Sequence, residues 1–229
     1  MTMWVVILAT TALSLWAAAR VRSVYSRYSR VPVANGMTGA ETAAMILRQA
    51  GIYDVEITHQ EGMLGDHYDP IHKRLVLSSE NYYGNSPAAV GVAAHECGHA
   101  IQHQRAYAPL QWRMAAVGIT TYANQLVWWL PLLGMFTGLI QPYVAFTLLA
   151  VCWGIIMLFN LITLPVEFDA SRRARVMLGN LGIIMPGEEA AGVSRVLNAA
   201  AWTYVAAFVT SLAYFLVHLL PLLGGRSRD

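Results

Sequence analysis

The segment Ala93–Gln104, AAHECGHAIQHQ, decides how the chain is read, because it sets His95, Glu96 and His99 in the order H-E-x-x-H. The residues around it predict a helix: Ser86 suits the cap, Pro87 suits the first helical position, and alanines and valines follow. At 3.6 residues per turn, histidines four apart lie about 40° apart on one face, so two imidazoles can share one metal ion. Glu96 sits beside them around the helix. From there its carboxylate reaches a catalytic water without displacing it, which is the general-base position of a zinc protease.

The bare H-x-x-x-H spacing also arises on ordinary helices, so its flanks matter. Ala93, Ala94, Gly98 and Ala100 are small and allow the close packing that holds metal ligands rigidly. Cys97 lies about 200° from His95 on the helical wheel and reads as a packed small side chain, not a ligand. His103 follows His95 by eight residues, about 12 Å of rise, so one zinc ion cannot bond both. It is also too close to His99 for the longer H-E-x-x-H-x-x-G-x-x-H pattern, and reads as a supporting or surface residue.

The chain of 229 residues is 56% hydrophobic and only 12% charged, which is far from the soluble norm of about a quarter charged and predicts a membrane protein. Its formal net charge is +2, and the placement of the charges says more than their sum. Two cysteines, Cys97 and Cys152, form no disulfide framework and point to a reducing compartment.

Residues 1–30 read as an N-terminal membrane anchor with a basic flank. The apolar run 3–19 is short for a span, and a signal peptide is the alternative. Against that alternative, Arg20, Arg22, Arg27 and Arg30 follow the run instead of preceding it. Residues 31–113 form the long polar stretch, expected to be a cytoplasmic catalytic part. In it Thr38 and Glu41 predict a capping box for a helix through Gln49, ended by Gly51. Segments 53–58 and 73–78 read as two short strands joined by a loop, either a structural hairpin or an edge for an extended substrate.

Residues 114–165 are expected to be a transmembrane hairpin turning at 138–143, residues 166–195 a cytoplasmic helical segment, and 196–229 a C-terminal transmembrane helix. Four spans in all would place both termini outside. Most basic residues would then fall on the inner side and only Arg226 and Arg228 outside, as the positive-inside rule asks.

A catalytic zinc site needs a third protein ligand. Where the chain leaves the third apolar run, Pro165 suits a helix start and Gly179 its end, which would put Glu167 in a first turn near the inner membrane surface. Spacing puts Glu167 forward and leaves Asp169, other acids and His67 open. Asp169 also suits helical ion pairs with Arg172 and Arg173. For oxyanion stabilisation His67, Tyr82, Tyr83 and Arg173 are candidates.

Four ordered stretches, AAHECGHAIQHQ, the upstream LGDHYDPIHKRLVLS and the downstream LPVEFDASRRA and VLNAAAWTYVA, resemble the YugP-like neutral zinc metallopeptidases of prokaryotic membranes over nearly the whole chain. The resemblance implies one zinc ion held by His95, His99 and Glu167, with Glu96 as catalytic base. The arrangement is also similar to HtpX-type and CAAX prenyl membrane proteases, whose third ligand lies in an E-x-x-A-D motif. Ser171 stands here where that motif has Asp.

The expected fold is thus a mainly α membrane protein with four transmembrane helices and a small α+β zincin-like, gluzincin-like cytoplasmic part carrying the H-E-x-x-H helix. The expected activity is that of a zinc metalloendopeptidase of the inner membrane acting on membrane-associated peptide or protein substrates, with the bilayer as partner and no nucleic acid. The alternative is a non-catalytic membrane scaffold or metal sensor with structural zinc.

Overall fold

The computed structural model describes residues 2–62, 65–138 and 140–224; Arg226, Arg228 and Leu139 of the expected turn lie outside these. The elements are α1 (Thr2–Tyr28), α2 (Gly39–Gln49), β1 (Glu56–Gln60), β2 (His67–Asp69), β3 (Arg74–Ser78), α3 (Ser79–Tyr83), α4 (Pro87–Gln104), α5 (Ala108–Thr137), α6 (Pro142–Asn180) and α7 (Glu188–Gly224). They fall into two compact units. One comprises residues 1–16, 112–164 and 203–229, and the other residues 17–111 and 165–202.

The second unit is built around α4. Fourteen of its 18 residues are buried, and a helix apolar on all faces has to be enclosed by other elements. Ile46 and Leu47 of α2, Leu75 and Leu77 of β3, Ala174 and Leu178 of α6, and Val193 and Leu197 of α7 share one core with Val90, Ala94, Cys97 and Ile101. Both expected caps form. Ser86 Oγ accepts from the Ala89 amide, and Thr38 and Glu41 close a reciprocal capping box on α2. Gly51, at φ +73°, follows α2 in the left-handed conformation that glycine adopts without strain.

The expected pair of strands is corrected to a three-stranded sheet of order β1-β3-β2. β1 and β3 run parallel, and the hairpin partner of β3 is β2, from the segment whose turn residues suggested only a loop. The β2–β3 turn is fixed by Asp69, whose Oδ1 accepts the Ile71 and His72 amides at 2.9 and 3.1 Å and whose Oδ2 meets the His72 ring. A parallel partner needs a connection of about a dozen residues, and residues 61–73 supply it while forming β2 on the way.

In the first unit α6 and α7 pack closely. Trp153 stacks on Tyr214 at 4.5 Å, and Asn160 Nδ2 donates to Ser211 Oγ at 3.0 Å and to the Ala207 carbonyl. Trp4, Leu8, Trp128 and Leu220 are exposed, each by 60% or more, an outward apolar surface of the kind that lipid covers.

Among the described residues three helices, not the expected four, are long and apolar enough to cross a membrane: α1, α6 and α7. α5 falls short because Thr120, Thr121, Asn124 and Gln125 interrupt its apolar middle. The expectation that both termini lie outside rested on an even number of spans and loses that support. Pro165 is corrected too, since it lies inside α6 instead of starting a helix. A proline within a helix forfeits one backbone hydrogen bond, and here the residues after it are held by packing against α4.

Candidate metal centre

Two helices bring the site together because both are small where they meet. A Cβ on Gly98 would lie 2.7 Å from the Ala170 carbonyl oxygen and 3.0 Å from its Cα, so only glycine lets α4 come this close to α6. One turn before Ala170, Glu167 then faces His95 and His99. Glu167 Oε2 lies 3.2 Å from His95 Nε2 and 3.6 Å from His99 Nε2, and the two rings meet edge-on with centroids 4.8 Å apart. One donor atom from each residue falls within 4.8 Å of the others, the only such His/Cys/Asp/Glu group among the described residues. Bonds of about 2.0–2.1 Å to a tetrahedral zinc imply ligand atoms about 3.3–3.4 Å apart, which is the scale seen here.

The other ring nitrogens decide what the cluster can hold. Gln102, fully buried, donates from Nε2 to the Val166 carbonyl at 2.8 Å and to Asp169 Oδ2 at 2.9 Å. Its amide protons are therefore used, and its Oε1, 3.0 Å from His99 Nδ1, can only accept. His99 must carry a proton on Nδ1, which leaves the Nε2 lone pair facing the Glu167 carboxylate. Lone pairs converging in a buried pocket repel unless a cation lies among them, so this donor set fits a metal ion. Burial alone would favour the neutral His99 ring, but Glu167 and Glu96 draw positive charge to its Nε2 strongly enough to outweigh burial and raise its pKa above the ordinary imidazole value, so that position suits a cation, whether a proton or a metal ion. On the other ring, Ser171 Oγ lies 3.2 Å from His95 Nδ1. The hydroxyl thus stands in contact with a ligand ring at the position where the related motif has Asp, and Asp169 reaches His99 only through Gln102.

Glu96 is 93% buried, on the same helix but outside the ligand group. No described residue hydrogen-bonds its carboxylate, so it stays available to solvent chemistry. Cys97 packs with Sγ toward the Ala43 carbonyl, and burial together with the Glu96 charge pushes its thiol pKa well up, so it stays protonated and inert.

The remaining sequence candidates are engaged elsewhere. His67 Nδ1 meets the Gly65 carbonyl, Tyr83 Oη meets His59 Nε2, Tyr82 packs on the His59 ring, and Arg173 Nε donates to Asp169. His103 pairs with the Tyr68 hydroxyl at 2.9 Å, and burial pushes that phenol up to about 12. Gln102 was missed by sequence reasoning, since a glutamine three residues after a histidine carries no distinctive pattern.

The family model described as "putative neutral zinc metallopeptidase" matches residues 3–223. The chain belongs to this family. A relative, the "Putative membrane protease YugP" of Bacillus subtilis strain 168, is 41% identical over 222 residues, covering 97% of each chain. No solved structure matches. Family membership implies zinc as the metal, and the His95, His99 and Glu167 group is where this metallopeptidase chain could hold it.

Proposed function

We propose that this chain is a membrane-integrated zinc endopeptidase whose metal is held by His95, His99 and Glu167 and whose general base is Glu96. The observation that carries the reading is the convergence of two Nε2 atoms and a buried carboxylate beside an unengaged Glu96. When bound, zinc supplies a Lewis acid that polarises the scissile carbonyl and acidifies the attacking water. Glu96 accepts one proton from that water as the new C–O bond forms, then delivers it to the amide nitrogen as the C–N bond breaks. No covalent bond to the protein is needed. Gln102 and Ser171 keep the two rings turned so that Nε2 faces inward.

The membrane location rests on α1, α6 and α7 and on the relative's printed description as a membrane protease. The basic residues Arg20, Arg22, Arg27 and Arg30 after the apolar part of α1, and Arg172, Arg173 and Arg175 after that of α6, favour a site on the cytoplasmic side. Substrates reaching such a site are membrane proteins or their cytoplasmic segments.

The test is Glu96→Gln in the purified full-length protein. Zinc content is expected to stay at one per chain while cleavage of an unstructured casein substrate falls by about 100-fold or more. If the unmodified protein binds zinc yet never cuts, the scaffold or metal-sensing reading replaces this one.

A further inference from the structure

The end of α2, α4 and α6 line a cleft of about 470 Å³ whose walls include Arg105, Arg172, Arg173, Ile101, Val176 and Met177. Among the described residues no carboxylate lines it. Asp169, behind the wall, pairs with Arg172 and Arg173, but both its oxygens are already taken, Oδ2 by Gln102 as well as Arg173. Arg105, at the C-cap of α4, has no side-chain partner among the described residues. A cation there gains from the helix dipole, which explains a basic residue at that position but not three arginines lining one cleft, even with the Arg173 guanidinium lying over the Tyr107 ring. Each guanidinium offers five donors in a planar fork matched to phosphate oxygens, and one carboxylate uses few of the fifteen.

We infer that this cleft binds the phosphate of an anionic phospholipid headgroup, with Arg105, Arg172 and Arg173 as its ligands. Two further observations favour a lipid. The lining also carries apolar side chains, Ile101, Val176 and Met177, suiting a phosphate that carries a hydrocarbon chain. In addition, Arg172 and Arg173 belong to α6, one of the three helices long and apolar enough to cross a membrane, and follow its apolar run in sequence. Arginines that flank a span carry long side chains that reach the headgroup layer. The inference rests on the membrane location proposed above and is independent of which peptide is cut.

The experiment uses the full-length protein in uncharged maltoside micelles with fluorescent phosphatidylglycerol as the probe. Binding is expected to be at least 10-fold tighter than for fluorescent phosphatidylcholine. It should fall to the phosphatidylcholine level in the R105Q/R172Q double variant and be largely kept in R105K/R172K, with zinc content unchanged in both. If the double variant does not fold, Arg105→Gln alone, an exposed side chain, should weaken phosphatidylglycerol at least threefold. Equal binding of the two lipids, or unchanged phosphatidylglycerol binding in the glutamine variants, overturns the inference. So does displacement of the probe by millimolar inorganic phosphate, which would make the ligand free phosphate, or by a soluble polyglutamate peptide, which would make it an acidic protein. Zinc and casein cleavage are measured on the same preparation. No lipid selectivity in the unmodified protein, with both intact, refutes the cleft alone, and recovery of the chain in the soluble fraction without detergent refutes the membrane location itself.

Discussion

Gln102 has no charge and touches no reacting atom in the proposed chemistry, yet one hydrogen bond fixes the tautomer of the His99 ring and two more bridge α4 to α6. Gln102→Leu keeps the volume and removes all three. Zinc affinity is expected to drop about 10–100-fold, the usual effect of losing a group that orients a ligand, read by competition with a chromophoric chelator. Ser171→Ala removes a single contact to His95 and should fall at the low end, about 10-fold. These two positions also show where reading from sequence stops at this scale. His95, Glu96 and His99 were legible because a helix is rigid enough for spacing to fix which face they share. Glu167 lies 72 residues from His95, so spacing left it among several acids, and only the EFDAS resemblance singled it out. Gln102 and Ser171 acquire meaning only once the partner from the other helix is known, since neither residue type announces a metal.

At the scale of elements, the meeting of α4 and α6 depends on the missing side chain of Gly98. Gly98→Ala would set a methyl against the Ala170 backbone, which cannot rotate away, and should cost about 1–3 kcal/mol of stability in denaturant titration. Because the same contact sets the reach of Glu167, zinc affinity should fall with it, whereas Gly118→Ala on α5, where a Cβ meets nothing, should leave zinc affinity unchanged and cost no stability. The β2–β3 turn gives a pH-dependent counterpart. The His72 ring and the His72 and Ile71 amides hold the Asp69 carboxyl down at about 2, below its ordinary value. A lowered folded pKa means that the stabilisation is present above about pH 4 and is lost as pH falls toward 2. Amide exchange at Ile71 and His72 should therefore be faster in Asp69→Asn at neutral pH, with the difference between variant and native protein vanishing across that acid window. The caps of α2 and α4 were plain in the sequence because a cap is a local device. The sheet was not: β2 has only three residues, and the parallel pairing of β1 with β3 is decided by what lies between them. Pro165 misled for the same reason, as its effect on α6 depends on the packing after it and not on its neighbours in sequence.

For the molecule as a whole, composition announced apolar helices but could not count them, because α5 mixes Asn124 and Gln125 with tryptophans in one 30-residue helix. The proposed cytoplasmic side of the unit that holds the metal group can be tested without knowing the number of spans. Both native cysteines, Cys97 and Cys152, are buried, so the unmodified chain should react little with a membrane-impermeant maleimide. Ile71 sits in the β2–β3 turn of the unit that holds the metal group and is 82% exposed, so Ile71→Cys places one reactive thiol there with little effect on packing. If the arginines after the apolar parts of α1 and α6 mark the cytoplasmic side, this thiol should remain unlabelled in intact cells. It should react in inverted vesicles or after permeabilisation, with native protein as the blank. Labelling in intact cells would put the metal centre outside, where the positive-inside rule disfavours so many arginines and where two reduced cysteines would meet an oxidising environment.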